Sequence, residues 1–153
     1  MKIDVEVNNT TQSPIEDGFF VRAVAETFAI LSYDFLEKKE ILISIALVGP
    51  QEICVLNKDY RKYDSVTDIL SFAEHESLEE IKAVAASEVE QQLFLGELIL
   101  CYDDIKEYAE RENKDFLEEM AYVTSHGVLH LLGFSHGEEM FSIQRSVAAK
   151  MKK

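Results

Sequence analysis

Hydrophobic and polar residues alternate along parts of this chain with the period of a β-strand, and the pattern predicts four strands. Residues 2–7 alternate strictly, which indicates a strand with one buried face. Residues 41–48 form a continuous apolar run, which indicates a buried strand. Residues 67–73 and 94–102 are rich in β-branched, aromatic and aliphatic side chains, which favour two further strands.

Between and after these strands the apolar residues recur at helical spacing. A long amphipathic helix is predicted to enter at Ser13 and Pro14 and to run to about Leu36, with Ser13 as its cap. Four others are predicted near 51–61, 103–111, 115–132 and 138–151, and a short additional one near 78–84 inside a mobile acidic loop. The pattern predicts one α+β domain over residues 1–153, a four-stranded mixed sheet flanked by about five helices.

The composition is that of a globular domain. The chain has 153 residues, of which 47% are hydrophobic and 29% are charged. No apolar run approaches the roughly 18 residues of a membrane span, and acids interrupt the N-terminus too early for a signal peptide. Cys54 and Cys101 lie in apolar surroundings, so both are expected to be reduced core residues. We therefore expect a cytoplasmic protein without membrane contact.

Three of the four histidines lie within eleven residues and carry the strongest chemical signal. His126 and His130 are four residues apart and therefore share one face of a helix. Gly133 is a helix stop after which the chain can bring His136 back to the first two. Three imidazoles around one point suit a zinc ion with a fourth position open to water. The fourth histidine, His75, is too distant and too exposed in character to be counted as a ligand.

The residue after the first histidine excludes one class of zinc enzyme. Zinc peptidases with this histidine spacing have a glutamate there, which acts as the general base. This chain has Gly127 instead. The tri-histidine centre is therefore predicted to serve another reaction.

Four segments taken together resemble the YbeY family of bacterial metal-dependent endoribonucleases. They are LNKDYR at 56–61, TDILSF at 67–72, LGE at 95–97 and HGVLHLLGFSH at 126–136. The resemblance implies a four-stranded sheet surrounded by helices, with a zinc-type ion in a cleft. It also implies cleavage of single-stranded RNA, in maturation of the 3′ end of small-subunit ribosomal RNA and in ribosome quality control.

This chain departs from the usual family pattern at a few positions. Ser135 precedes the third histidine where the family usually has aspartate, and Glu97 replaces an aspartate. Val66 and Ala73 stand where prolines are usual. The three histidines and Arg61 are kept, so the departures concern RNA affinity and the surroundings of the metal.

The residues suggest roles at such a site. His126, His130 and His136 would hold one Zn²⁺ per chain, although imidazole sites also accept other divalent transition metals. Arg61 would bind the phosphate through its planar guanidinium, the alternative being a solvated residue at a helix end. Asp68 or Glu97 would orient a metal-bound histidine through its other ring nitrogen.

The net charge of −14 opposes general binding to nucleic acid. A local positive groove would have to come from Arg22, Lys58, Arg61, Lys62 and the metal. The expected partners are ribosomal and single-stranded RNA, with ribosomal proteins or a ribosome-associated GTPase as agents of delivery. Two alternatives stay open: a non-catalytic ribosome-assembly factor with a structural metal, and a metallohydrolase of another substrate.

Overall fold

The computed structural model describes residues 1–152, and it contains the four expected strands in one sheet. The strands are β1 (Lys2–Asn9), β2 (Glu40–Val48), β3 (Ile69–Ala73) and β4 (Gln92–Cys101). Their order in the sheet is β1-β2-β4-β3. β2 runs parallel to both β1 and β4, whereas β3 is antiparallel to β4. The predicted α+β class with a mixed sheet is confirmed.

Within residues 1–152 six helices accompany the sheet, where the periodicity predicts about five. They are α1 (Asp17–Leu31), α2 (Pro50–Arg61), α3 (Leu78–Ala85), α4 (Tyr102–Arg111), α5 (Phe116–Leu131) and α6 (Glu138–Met151). The sixth is α3, the short helix in the acidic segment. Ser77 caps it by accepting a hydrogen bond from the backbone N–H of Glu80 at 3.2 Å.

The first helix is shorter than predicted at both ends, so the expectation for Ser13 is wrong. Glu16, not Ser13, precedes the first helical turn. At the other end Ser32 adopts a left-handed conformation with φ 50°, and its N–H bonds the carbonyl of Phe28. A separate 3₁₀ turn, Asp34–Leu36, then brings Leu36 into the core. Apolar residues therefore continue at helical spacing although the backbone has changed direction.

The main core lies between one face of the sheet and the helices α1 and α5. Ile41, Ile43, Ile45 and Leu47 of β2 are at most 2% exposed, and they alternate with half-buried residues on the other face. α2 packs on that second face over a smaller apolar cluster. This layered packing fixes α5 across the sheet beside β3 and β4, and α5 carries two of the histidines.

Two expectations about single residues are wrong. Cys54 is not a core residue: it is partly exposed, and its thiol lies 3.5 Å from the Asp64 carboxylate. Cys101 is buried as expected. His75 is not exposed, since its side chain is 13% accessible, but it lies outside the histidine cluster. No helix of residues 1–152 is both long enough and apolar enough to cross a bilayer.

Candidate metal centre

The helix that carries the first two histidines has clear start and stop signals. Asp115 precedes α5, and its carboxylate accepts a hydrogen bond from the Glu118 N–H at 2.8 Å. At the other end Gly133 has φ 92°, a conformation that glycine adopts at little cost. The N–H of Gly133 bonds the carbonyl of His130 at 3.0 Å. The chain then reverses and brings His136 beside α5, as predicted.

The three imidazoles converge through the same ring atom. The Nε2 atoms of His126 and His130 are 2.9 Å apart, and Nε2 of His136 lies 3.2 Å from that of His130 and 3.4 Å from that of His126. Zinc–nitrogen bonds of about 2.0–2.1 Å in a tetrahedron require nitrogen–nitrogen separations of about 3.3–3.4 Å. The triangle of ligand atoms therefore has nearly the size that a zinc-type ion requires.

Hydrogen bonds on the opposite ring nitrogens fix which atom is free to bind a cation. The amide of Gln144 donates to the carbonyl of Tyr122 at 3.4 Å, so its Oε1 faces His126 Nδ1 at 3.1 Å as an acceptor. His126 therefore carries its proton on Nδ1. His130 Nδ1 likewise donates to the carbonyl of Phe134 at 3.2 Å. Both rings present an unprotonated Nε2 to the centre.

The arrangement fits a bound cation. Burial lowers the pKa of His126 despite its hydrogen bond to Gln144. Burial and the neighbouring His126 lower the pKa of His130. Neutral rings whose lone pairs face one another repel unless a cation lies between them. Among residues 1–152 no other histidine, cysteine or carboxylate joins the cluster, so one position would stay open. Metal binding by these histidines remains a prediction.

Gly127 explains why the peptidase glutamate is missing. A Cβ atom there would lie 2.6 Å from Cδ1 of Ile69 and 2.8 Å from Cδ2 of Leu98. A side chain at this position would therefore have to displace the methyl groups of Ile69 and Leu98, and it would face the core instead of the metal. The site excludes a peptidase-type base at this position for geometric reasons.

Arg61 lies at the rim of the same centre. It shares a cavity of about 500 Å³ with the three histidines and with the polar residues Thr67, Asp68 and Ser71. The guanidinium is exposed and lies 5.2 Å from the ring centroid of Tyr63. No carboxylate of the described residues forms an ion pair with it. Arg61 is thus a cation whose charge is available to an anion in this cavity.

Of the two carboxylates expected to orient a histidine, one lies near the centre and one does not. Asp68 lines the cavity and its charge raises the pKa of His126 slightly against the effect of burial. It makes no hydrogen bond to His126 or His130, whose Nδ1 atoms are taken by Gln144 and Phe134. Glu97 points to the opposite face of the sheet, because its neighbours Gly96 and Leu98 face α5. Glu97 lines neither cavity at the centre, and its orienting role stays a prediction.

The predicted positive groove is smaller than expected. Arg22 lies away from the centre. It does not line the cavity around the histidines, and it donates to the carbonyl of Lys150, about 9 Å along α6 from Gln144 at 1.5 Å per residue. Lys58 is 3.9 Å from Asp64 and Lys62 donates to the carbonyl of Asp59. Arg61 is the one member of the predicted set that faces the histidines with its charge unpaired.

A second cavity of about 600 Å³ adjoins the centre on its other side. Asp68, His126 and His136 line both cavities. The rest of its wall comes from α4, α5 and α6: Asp104, Ile105, Tyr108, Arg111, Glu119, Tyr122, Val123, Phe141 and Gln144. Burial is the main cause that raises the pKa of the Asp104 and Glu119 carboxyls. This cavity was not anticipated from the sequence.

Gln144 is the residue of the site that the sequence analysis missed. It is fully buried on the face of α6 that also carries Met140, Val147 and Met151. A single long polar residue in an otherwise apolar stripe requires a hydrogen-bond partner, and this is the signal that could have identified it.

Comparison with known proteins gives a consistent result. The family model described as Endoribonuclease YbeY matches residues 6–152. A protein of that name from Geobacillus kaustophilus is 34% identical over 152 residues, covering 95% of this chain and 91% of the relative. Another from Bacillus pumilus is 39% identical over 121 residues, covering 74% of this chain and 75% of the relative.

A solved structure shares the fold. The solution structure of the protein TM1509 from Thermotoga maritima has a TM-score of 0.62 and covers 97% of this chain and 89% of its own. At 22% identity this likeness concerns the fold alone. The overall fold of this chain is thus shared with a solved structure.

Proposed function

Because this chain belongs to the YbeY endoribonuclease family, we propose that it is a metal-dependent endoribonuclease that cleaves single-stranded RNA. Its substrate would be precursor ribosomal RNA, cut during maturation of the 3′ end of the small-subunit RNA and during ribosome quality control. Such a substrate implies a cytoplasmic location. The observation that carries the proposal is the convergence of three Nε2 atoms beside the unpaired guanidinium of Arg61.

His126, His130 and His136 would hold one zinc-type ion. When bound, the ion supplies Lewis acidity toward water and toward a phosphoryl oxygen. Gln144 and the carbonyl of Phe134 keep two of these rings in the tautomer with a free Nε2. Imidazoles also accept nickel, copper or iron, so the donor set fits several ions of this type.

Arg61 would bind the phosphodiester. Its planar guanidinium can donate two parallel hydrogen bonds to phosphate oxygens, and these bonds gain strength as charge accumulates in the pentacoordinate state. Tyr63 beneath the guanidinium restricts its motion. Asp68 is the carboxylate of this cavity. It is placed to accept a hydrogen bond from the attacking hydroxyl, which is either water or the 2′-hydroxyl of the RNA.

The two alternative functions differ from this proposal in what they require of the site. A structural zinc normally has four protein ligands rich in cysteine, whereas the cluster within residues 1–152 has three histidines. A peptidase requires a base at the position of Gly127, where a side chain would face the core. A hydrolase of another small anion remains compatible with the centre and with Arg61, and an RNA assay distinguishes it.

The test is cleavage of a single-stranded fragment from the 3′ end of small-subunit precursor RNA. Wild type, His126→Ala and Arg61→Ala are compared with and without chelator. Arg22→Ala is the matched control, since Arg22 is also an exposed arginine but does not line the cavity around the histidines. We expect full cleavage by wild type and Arg22→Ala, cleavage slowed about 10²- to 10³-fold by Arg61→Ala, no cleavage by His126→Ala, and none by any protein in chelator.

Equal cleavage in all samples would show a contaminating nuclease and would refute the proposal. No cleavage of any RNA by metal-loaded wild type would favour the assembly factor or the hydrolase of another substrate. The product ends identify the nucleophile, because a 2′,3′-cyclic phosphate requires attack by the 2′-hydroxyl and a 3′-hydroxyl product excludes it.

A further inference from the structure

The second cavity beside the metal centre has the features of a base-binding site. Its volume of about 600 Å³ lies within the range of sites for small ligands and is enough for one nucleoside. It opens directly onto the histidines, because Asp68, His126 and His136 belong to both cavities. A strand whose phosphate lies beside Arg61 would therefore have its next nucleotide at this cavity.

The wall of the cavity offers aromatic surfaces from three helices. Tyr108 comes from α4, Tyr122 from α5 and Phe141 from α6, and all three are partly exposed. The Phe141 ring lies nearly parallel to that of His136, with centroids 6.2 Å apart. Bases stack on such rings whatever their sequence, and single-stranded RNA exposes its bases for this contact.

Two cations flank Tyr108 in this strongly acidic protein. The guanidinium of Arg111 is 5.6 Å from the ring centroid, and the ammonium of Lys114 is 5.3 Å from it. Lys114 also lies 3.5 Å from the Tyr108 hydroxyl. Both cations hold the ring in place. Arg111 is paired with Glu107 at 3.9 Å, so Lys114 is the cation that supplies positive charge for the phosphate of a nucleotide that stacks there.

The polar part of the wall includes two carboxylates that can accept hydrogen bonds from a ligand, those of Asp104 and Glu119. Asp104 and Glu119 are both partly buried. No ion pair among residues 1–152 uses either carboxylate. An acceptor in a partly dry cavity gains most from a ligand that brings N–H donors. The exocyclic amino group of guanine, adenine or cytosine brings two such N–H donors, whereas uracil has no amino group and brings only the ring N3–H.

From this geometry we propose that the cavity is a nucleobase subsite for one of the two nucleotides that flank the cleaved phosphate. The base stacks on Tyr108, and its exocyclic amine donates to Glu119 or Asp104. The inference rests on the proposed RNA-cleaving function. It adds that the enzyme prefers an amino-bearing base over uracil at one position beside the cut.

The first experiment uses metal-loaded protein and a short RNA with one mapped cleavage position. Each flanking nucleotide in turn is replaced by an abasic ribose. For wild type we expect kcat/KM to fall about 5- to 100-fold at one of the two positions, the range known for loss of a single stacked base. Tyr108→Ala should cleave the intact RNA more slowly and show no further loss with the abasic RNA. Tyr108→Phe keeps the ring, so its kcat/KM should still fall when the abasic RNA replaces the intact RNA.

The preference of the enzyme for one base over another tests the role of the Asp104 and Glu119 carboxylates. At the same position wild type should cleave RNA with an amino-bearing base faster than RNA with uracil, and Glu119→Gln should reduce this difference. Glu110→Gln is the matched control, because Glu110 is an exposed residue of α4 that does not line the cavity. An equal abasic loss in wild type and Tyr108→Ala, or no loss at either position, would overturn the inference.

A binding measurement separates this inference from the proposed function. RNA with 2-aminopurine at the flanking position is mixed with metal-loaded protein in a stopped-flow instrument, and its fluorescence is recorded before cleavage. Stacking should quench the signal with wild type and Tyr108→Phe but not with Tyr108→Ala. If RNA is never cut but this pattern is seen, the proposed function fails and the subsite stands. If RNA is cut but wild type does not quench, the subsite fails alone.

Discussion

Replacing Gln144 tests whether this buried amide prepares His126 for metal binding or only fills space. Its Oε1 accepts from His126 Nδ1 at 3.1 Å, and its amide nitrogen donates to the carbonyl of Tyr122. Gln144→Leu keeps a similar volume and removes both hydrogen bonds. Gln144→Glu keeps the acceptor and gives it a negative charge. The two substitutions therefore separate hydrogen bonding from packing.

The expected magnitude follows from what His126 loses in the leucine variant. Its Nδ1–H would be left without an acceptor in the interior, or the proton would move to Nε2 and block the ligand atom. Loss of such a partner usually lowers metal affinity about 10- to 100-fold, which is about 1.4–2.8 kcal/mol at 1.4 kcal/mol per decade. In the glutamate variant the charged acceptor makes His126 a stronger base, so zinc affinity should equal or exceed that of wild type.

The assay is a zinc titration in competition with a chromophoric chelator at pH 7.5. Thermal unfolding of each metal-free variant is recorded to show that it is folded. Ser142→Ala serves as the control, since Ser142 is an exposed residue of the same helix. We expect affinity to decrease in the order Glu, Gln, Leu at position 144. The reverse order, with leucine tightest, would refute the hydrogen-bonding role, because a residue that only fills the core tolerates leucine best.

Three further predictions concern the same site. Arg61→Ala should lower kcat for RNA cleavage about 10²- to 10³-fold and leave zinc affinity unchanged; an equal loss of both would show that Arg61 supports the fold instead. Gly127→Glu should lose its cooperative urea unfolding transition, because its Cβ alone would lie 2.6 Å from Ile69 and the charge would be buried. A Gly127→Glu protein as stable as wild type would contradict the close packing at this position. Burial lowers the pKa of His126 and His130 below 6.5, so on acidification these histidines are protonated in the unfolded chain before they are protonated in the folded one. The metal-free protein should therefore lose stability as the pH falls below 6.5. Thermal unfolding of His126→Gln should depend less on pH.

The strands and the histidine helix could be predicted because their signals are local. Alternation in β2 follows from one face packing on α1 and α5, and the end of α5 follows from Gly133. The end of α1 could not be predicted in the same way. Apolar residues continue beyond Ser32, but the left-handed turn there redirects them to another part of the same core. Periodicity reports burial and does not report a change of backbone direction.

The triad itself could be predicted from spacing, but the residues that orient it could not. Three ligands within eleven residues form a local motif. Gln144 and His126 are eighteen residues apart and meet only because α6 packs against α5. Glu97 shows how a motif and a side-chain direction can differ. Its motif suggests proximity to the metal, whereas the alternation of β4 directs its side chain away from the face on which Gly96 meets α5. Sequence motifs identify candidate site residues, whereas the direction in which each side chain points depends on how the helices and strands pack.

The charges of the site point to an anionic substrate in spite of the acidic surface. A net charge of −14 repels RNA at long range, but at physiological ionic strength exposed charges are screened beyond about 8 Å. The cavity around the histidines contains the carboxylate of Asp68 and two sources of positive charge: Arg61, which has no ion-pair partner among the described residues, and any ion held by the histidines. The position that would carry a peptidase base is closed by packing at Gly127. A negatively charged substrate would therefore be attracted both by Arg61 and by an ion held by the histidines, whereas a neutral peptide would be bound by the ion alone.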